Sequence, residues 1–311
     1  MKKIFIWMVS NDIRFLNAAV NILERQHNGV EIIGVTVPAE INFVWDDRKV
    51  PFIPLDKLTG GGLMNESDIL LVVGARQIGM SKITQAARQL NLPEEKLLGD
   101  WIVCIPGFTL EKYRKLQRSR LSIFAQYCFG GLISNILGLP FRSPFVNLAL
   151  DDQEFIKFLR APRICMEEQF YFKEMRFEGN LKRDYPVVTL GNVDICMNHD
   201  TDFHEAISKW NRRKPRINWY NLFIVMCTED KKILEQFDAL PFGKKVCFVP
   251  FKSDLDSAWY INTEIDMGAE ITSTGKKSFV NIVNRFGAGF FFYYDPFDML
   301  LYGKKTPLIE M

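Results

Sequence analysis

Lys3-Ile4-Phe5-Ile6-Trp7-Met8-Val9 is an unbroken apolar run behind one lysine, the pattern of a strand covered on both faces. Downstream, Ile13, Leu16, Ala19, Val20 and Leu23 recur at helical spacing. Ser10 or Asn11 stands where a helix cap belongs, and Asn28-Gly29 supplies the stop. Residues 30–37 then read as a second strand and residues 68–73 as a third. Turns rich in proline and glycine lie between them (Pro38, Pro51, Pro54, Gly60-Gly61-Gly62). Ser81 is placed to cap a helix reaching Leu90, and residues 101–106 read as a closing strand. Strands alternating with helices predict a Rossmann-like, mostly parallel sheet over residues 1–115.

A charged stretch, residues 111–120, reads as a short helix and marks the boundary, either as a linker or as a basic amphipathic helix packed on one domain. A larger α/β domain is expected over residues 119–311. Its strands are predicted at residues 121–128, 145–150, 222–227 and 246–249, with a buried strand in the run 287–294. Asp151 or Asp152 is positioned to cap a helix carrying Phe155, Ile156 and Leu159. Asp202 and Glu205 have capping-box spacing, Asp295-Pro296 opens the last helix and Gly303 ends it.

The formal net charge is only +2, so no whole-molecule field for nucleic acid is expected. The lysine-led apolar start is too short for a secretory signal, and no apolar stretch approaches the roughly 18–20 residues of a membrane span. A cytoplasmic location is therefore expected. The six cysteines form no C-x-x-C pair, and four sit in apolar runs, which reads as free, buried thiols in a reducing compartment.

The first turn, Val9-Ser10-Asn11-Asp12, has no glycine and carries a carboxylate where a pyrophosphate would arrive, so NAD or FAD binding is not expected. Residues 74–79 hold two glycines of a phosphate loop, but Met80-Ser81 replaces its lysine, which excludes that NTPase motif. Neither a bound cofactor nor a metal is expected. His199 and His204 are five residues apart and do not share a helix face, and Asp202 is better explained as a cap.

Three features carry chemistry. Cys128 precedes a helix start, where a thiol can act as a nucleophile, and needs His199 or His204 as its base. Gly130 and Gly131 follow it, either to expose amides to an anion or to pack closely. Lys209, Arg212, Arg213 and Arg216, interleaved with Trp210 and Trp219 and followed by Asn218, read either as a diphosphate clamp or as a solvated helix end. His199 is the preferred acid/base candidate, because its ordinary pKa lies near working pH.

The succession Cys128-Phe129-Gly130-Gly131, Leu137-Gly138-Leu139, Ser143-Pro144-Phe145-Val146-Asn147-Leu148, Glu154-Phe155-Ile156-Lys157, Tyr185-Pro186-Val187, Asp194-Ile195, His199, Phe203-His204-Glu205-Ala206, Lys209-Trp210-Asn211-Arg212-Arg213 and Arg216-Ile217-Asn218 resembles the bacterial family catalogued as domain of unknown function 1919. Leu240-Pro241 and Lys245-Val246-Cys247-Phe248 continue the pattern. Members often carry the label of exopolysaccharide or capsule biosynthesis, so the resemblance implies a glycan-related role. The N-terminal part, with Val50-Pro51-Phe52-Ile53-Pro54-Leu55 before Asp56-Lys57-Leu58 and with Asp68-Ile69-Leu70-Leu71-Val72-Val73-Gly74, is similar to small nucleotide-sugar-binding domains. The expectation is a transferase or modifying enzyme using a nucleotide-sugar-like donor. The alternative is a non-catalytic module that binds a nucleotide-sugar or a biosynthetic partner.

Overall fold

The computed structural model describes residues 1–10, 12–36, 50, 52–54, 66–74, 76, 78–178, 183–264 and 278–309. The expected turns at Pro38, Pro51 and Gly60-Gly61-Gly62, the cap at Asn11 and the motif residues Leu55 to Leu58 lie outside them. The chain divides into two compact units. One comprises Met1–Tyr113 with Asn135–Pro140, the other Arg114–Ser134 with Phe141–Met311.

In the first unit, β1 (Lys2–Met8) is followed by α1 (Leu16–His27) and β2 (Val30–Thr36). Then come β3 (Ile69–Val73), α2 (Met80–Gln89), β4 (Leu97–Gly99) and the short α3 (Asp100–Val103). The strands form one parallel sheet in the order β2-β1-β3-β4, consistent with the Rossmann-like expectation. The apolar runs explain the order, because β1 and β3 are central and buried throughout their apolar length.

The local structure departs from the expected pattern at four points. Helix α1 begins at Leu16, not near Ile13, which is exposed. Ser10 does not cap it; its hydroxyl donates to the Gly74 carbonyl at 2.9 Å and ties the ends of β1 and β3 together. Gly79, at φ +84°, precedes α2 in place of Ser81. Residues 101–106 are no strand. The chain pairs at Leu97–Gly99 and then coils at the buried Asp100, an outcome that a short apolar run does not distinguish by periodicity.

Helix α4 (Leu110–Arg118) spans the division, close to the expected charged helix. The second unit continues with β5 (Ser122–Ala125), α5 (Phe129–Ile136), α6 (Asp152–Arg160) and α7 (Pro162–Cys165). Three antiparallel strands follow, β6 (Phe170–Glu178), β7 (Arg183–Leu190) and β8 (Val193–Cys196), in the order β6-β7-β8. Next come α8 (Phe203–Arg213), β9 (Leu222–Cys227), α9 (Lys231–Asp238), β10 (Lys245–Val249) and β11 (Ala258–Tyr260). Helices α10 (Phe279–Gly287) and α11 (Pro296–Tyr302) end the unit. Strands β5, β9, β10 and β11 make a parallel sheet in the order β11-β10-β9-β5.

Residues 145–150 form a buried loop with one isolated bridge, Ala149 to Cys196, rather than the expected strand. Pro144 and Asn147, the latter at φ +62°, break regular extension while Phe145, Leu148 and Leu150 stay buried. The run 287–294 is a helix end and turn, not a strand. The abundant phenylalanines are used in the core: Phe124, Phe145, Phe158 and Trp210 stack within ring distances of 4.8–5.9 Å. Among the described residues, no helix is long and apolar enough to cross a membrane.

Candidate functional site

Strand β5 ends at Ala125, and the chain then turns through Gln126, Tyr127 and Cys128 into α5. The turn is held by polar bonds. The Gln126 amide donates to Asp152 Oδ1 at 2.6 Å, and its carbonyl oxygen accepts from the Cys227 backbone N–H at 3.1 Å. Thr228 donates to the other Asp152 oxygen at 2.6 Å. One carboxylate therefore joins the carboxyl ends of β5 and β9. Burying such polar groups is tolerable only because each finds a partner.

Cys128 is the residue before the helix, its carbonyl accepting the first helical bond from Leu132 N–H at 3.0 Å. Gly130 and Gly131 lie in the first turn and are buried. A Cβ on Gly130 would stand 3.0 Å from Ala125 Cβ and 3.1 Å from Ile123 Cγ2, and one on Gly131 3.2 Å from Val146 Cγ1. Their missing side chains thus bring the helix down onto its own strand. Phe129 anchors the same turn against Phe248 and Phe286, at 5.4 and 5.6 Å.

His199 arrives from the other sheet. Strand β8 ends at Cys196, and a tight turn closes with Asp200 N–H donating to the Met197 carbonyl at 2.9 Å. Arg183, at the start of β7, donates to the Asn198 carbonyl at 2.9 Å. The turn presents an exposed His199 ring whose Nε2 lies 3.5 Å from Cys128 Sγ. Burial of the ring's inner side, aided by the Arg183 charge, holds the imidazole below its usual pKa, against a smaller opposing effect of Asp200. Burial pushes the Cys128 thiol up. Both shifts favour a neutral thiol beside a neutral imidazole over a thiolate–imidazolium pair.

The other expected site residues are distributed differently. Lys209 pairs with the buried Asp200 and, at 2.7 Å, with Glu205. Arg213 is partly buried and donates to the Val146 carbonyl at 3.2 Å. Its pKa is lowered by burial and by the neighbouring guanidiniums of Arg212 and Arg216. Arg212 and Arg216 are exposed. The Asn218 backbone N–H donates to Ser122 Oγ at 2.8 Å and its side chain to the Arg120 carbonyl at 3.1 Å. These bonds place Asn218 at the amino end of β5, the edge opposite Cys128. His204 is exposed against Phe203, so the imidazole beside Cys128 is that of His199.

The structure also adds Gln126, Thr228 and Arg183, which the sequence does not single out, and gives Asp152 another role: neither Asp151 nor Asp152 caps α6 through its side chain, and Asp152 accepts from Gln126 and Thr228 instead. Gln126 and Thr228 are ordinary residues at strand ends. Only the parallel pairing of β5 with β9 shows that both reach one carboxylate. All six cysteines are free thiols.

A family model described as Domain of unknown function (DUF1919) matches residues 103–286, a span that holds Cys128, His199 and every strand of the second unit. A protein of Haemophilus influenzae, named only as an uncharacterized protein, is 35% identical over 153 residues, which is 48% of this chain and 71% of that protein. With more than half of its residues inside the matching model, the chain belongs to the family of domain of unknown function 1919.

Proposed function

We propose that the second unit is a thiol-dependent acyl-transfer enzyme in which Cys128 is the nucleophile and His199 its general base. The observation that carries this reading is the 3.5 Å contact between Cys128 Sγ and His199 Nε2, made at the first residue before a helix. Thiol, base and helix amides are the three parts that attack on a carbonyl requires.

The thiol proton passes to Nε2 as the S–C bond forms, and the carbonyl oxygen takes the negative charge. First-turn amides of α5, from Phe129, Gly130 and Gly131, are by position without an intrahelical acceptor and stabilise that oxyanion. The imidazolium returns its proton to the leaving group, and a thioester remains on Cys128. An acceptor hydroxyl, deprotonated by His199, then attacks the thioester and releases the thiol. The neutral thiol–imidazole pair suits this sequence, since the imidazole must begin unprotonated to act as a base.

A sugar hydroxyl as acceptor rests on the glycan-related role that the family resemblance implies, and would make the reaction the acylation of a glycan precursor, or the reverse. A nucleotide-sugar donor clamped by Lys209, Arg212, Arg213, Arg216 and Asn218 has weaker support. Lys209 is held by two carboxylates, Arg213 by a carbonyl, and Asn218 lies at the far edge. The rival reading, a binding module without chemistry, is favoured by one observation: burial raises the Cys128 thiol and lowers the His199 imidazole, which makes proton transfer between them harder.

Mass spectrometry separates the two. Exposure to p-nitrophenyl acetate should leave an acetyl group on Cys128. His199→Ala should slow that acylation by about 10²–10⁴-fold, the usual contribution of a general base. No adduct at Cys128, or one that forms equally fast in His199→Ala, would leave the binding module as the better reading.

A further inference from the structure

The second unit contains a groove that does not include Cys128 or His199. It encloses about 670 Å³ between the end of α6, α7, the start of β9 and the turn before β10. Leu222 and Lys244 mark the amino ends of β9 and β10, and Leu222 is in register with Ser122, the first residue of β5. The groove therefore opens at the sheet edge opposite the Cys128 turn. Its volume falls in the range of small-molecule sites, roughly 300–1,000 Å³.

Two features of the lining select a ligand. Arg160, Arg163 and Lys244 contribute three cations, and no lining residue is a carboxylate. Trp219, Tyr220 and Phe242 contribute aromatic surface. The Arg163 guanidinium sits 4.6 Å from the centre of the Trp219 ring, which fixes the charge in place. Lys244 is half-buried and bonded to Asn221, so its ammonium has little freedom either. Tyr220 is 98% exposed and Ile164 68% exposed, leaving a ring face and an aliphatic side chain uncovered at the mouth. A fixed cation near low-dielectric walls attracts an anion more strongly than a mobile surface lysine does. An uncovered tyrosine ring offers a stacking face to any flat ring.

We propose that this groove is a ligand site for an anionic group carried on a flat ring, the chemistry of a nucleoside diphosphate. The phosphates lie against Arg160, Arg163 and Lys244, and the base stacks at Tyr220. This inference is independent of the thiol chemistry, since it uses no residue of that turn.

Calorimetric titration of the full chain with UDP, ADP, uridine and inorganic pyrophosphate tests it. UDP or ADP should bind saturably, and uridine and pyrophosphate each at least about tenfold more weakly, because each lacks half of the recognised chemistry; tenfold is about 1.4 kcal/mol. Arg163→Ala and Tyr220→Ala should each weaken nucleotide binding by a similar factor while the melting temperature stays unchanged, both side chains lying at the groove's surface. Cys128→Ser should bind as the wild type does, which keeps this result separate from any failure of the acylation test. Absence of saturable binding of either nucleotide, pyrophosphate binding as tightly as UDP, or binding that both variants retain would overturn the proposal.

Discussion

Cys128 and Asp100 show burial acting on single ionisable groups. At Cys128 it raises the thiol pKa and keeps sulfur neutral beside His199. At Asp100, 1% exposed, it raises the carboxyl to about 6, while hydrogen bonds from the backbone of Trp101, whose N–H donates to Oδ1 at 2.9 Å, and of Gly74 oppose the rise. A carboxyl whose folded pKa exceeds its unfolded value binds more protons in the native state. Its contribution is therefore most favourable below the unfolded pKa, near 4, and is lost as pH rises through about 6. Asp100→Asn removes the charge at nearly constant volume. The variant should be more stable than the wild type at pH 8, by up to about 2–3 kcal/mol for a shift of roughly two units, and the advantage should shrink towards pH 4. Urea melts at the two pH values check the sign, and a wild type that is the more stable at pH 8 would contradict it.

Among the elements, α5 depends most on what its residues lack. Gly130 has Ala125 Cβ and Ile123 Cγ2 at 3.0 and 3.1 Å from where its Cβ would stand, and both belong to the strand that leads into the helix. Gly130→Ala gains about 1 kcal/mol of helix propensity but meets a wall that is itself part of the sheet, at about 1–3 kcal/mol for overpacking. A net loss of about 1 kcal/mol in a urea melt, with slower Cys128 acylation as the helix lifts, is the expected result. Caps were legible in the second unit more than in the first, where neither Ser10 nor Ser81 caps its helix. Asp202 accepts from Glu205 N–H at 2.8 Å, Asp295 caps α11, and Gly303 ends it at φ +64°, all as their local chemistry implies. Strand β6 had no assignment from the sequence, because Tyr171, Phe172, Met175 and Phe177 are exposed and its pattern does not report a buried face. The run 145–150 failed for the opposite reason, being buried without being a strand.

At the scale of the whole chain, His199 and Asn218, both candidates in the sequence, are carried to opposite ends of β5 by the fold. His199 faces Cys128, whereas the Arg216 charge acts on Arg142 together with that of Arg120. Arg216→Ala should therefore leave Cys128 acylation within about twofold of the wild type, as expected for separated sites, with a melting temperature unchanged or slightly raised as like charges are thinned. A time course of intact mass measures the first and a thermal melt the second; loss of acylation would return Arg216 to the site. The sequence alone determined the α/β class, the central strands β1 and β3, the caps at Asp202 and Asp295 and Cys128 and His199 as candidates, because apolar periodicity and capping act within a few residues of chain. The meeting of Cys128 with His199, 71 residues apart, and the placing of Asn218 at the opposite sheet edge were decided by tertiary structure. Which side chains meet at the end of a parallel strand depends on strand order and register, and those are set by packing between segments that no local pattern connects.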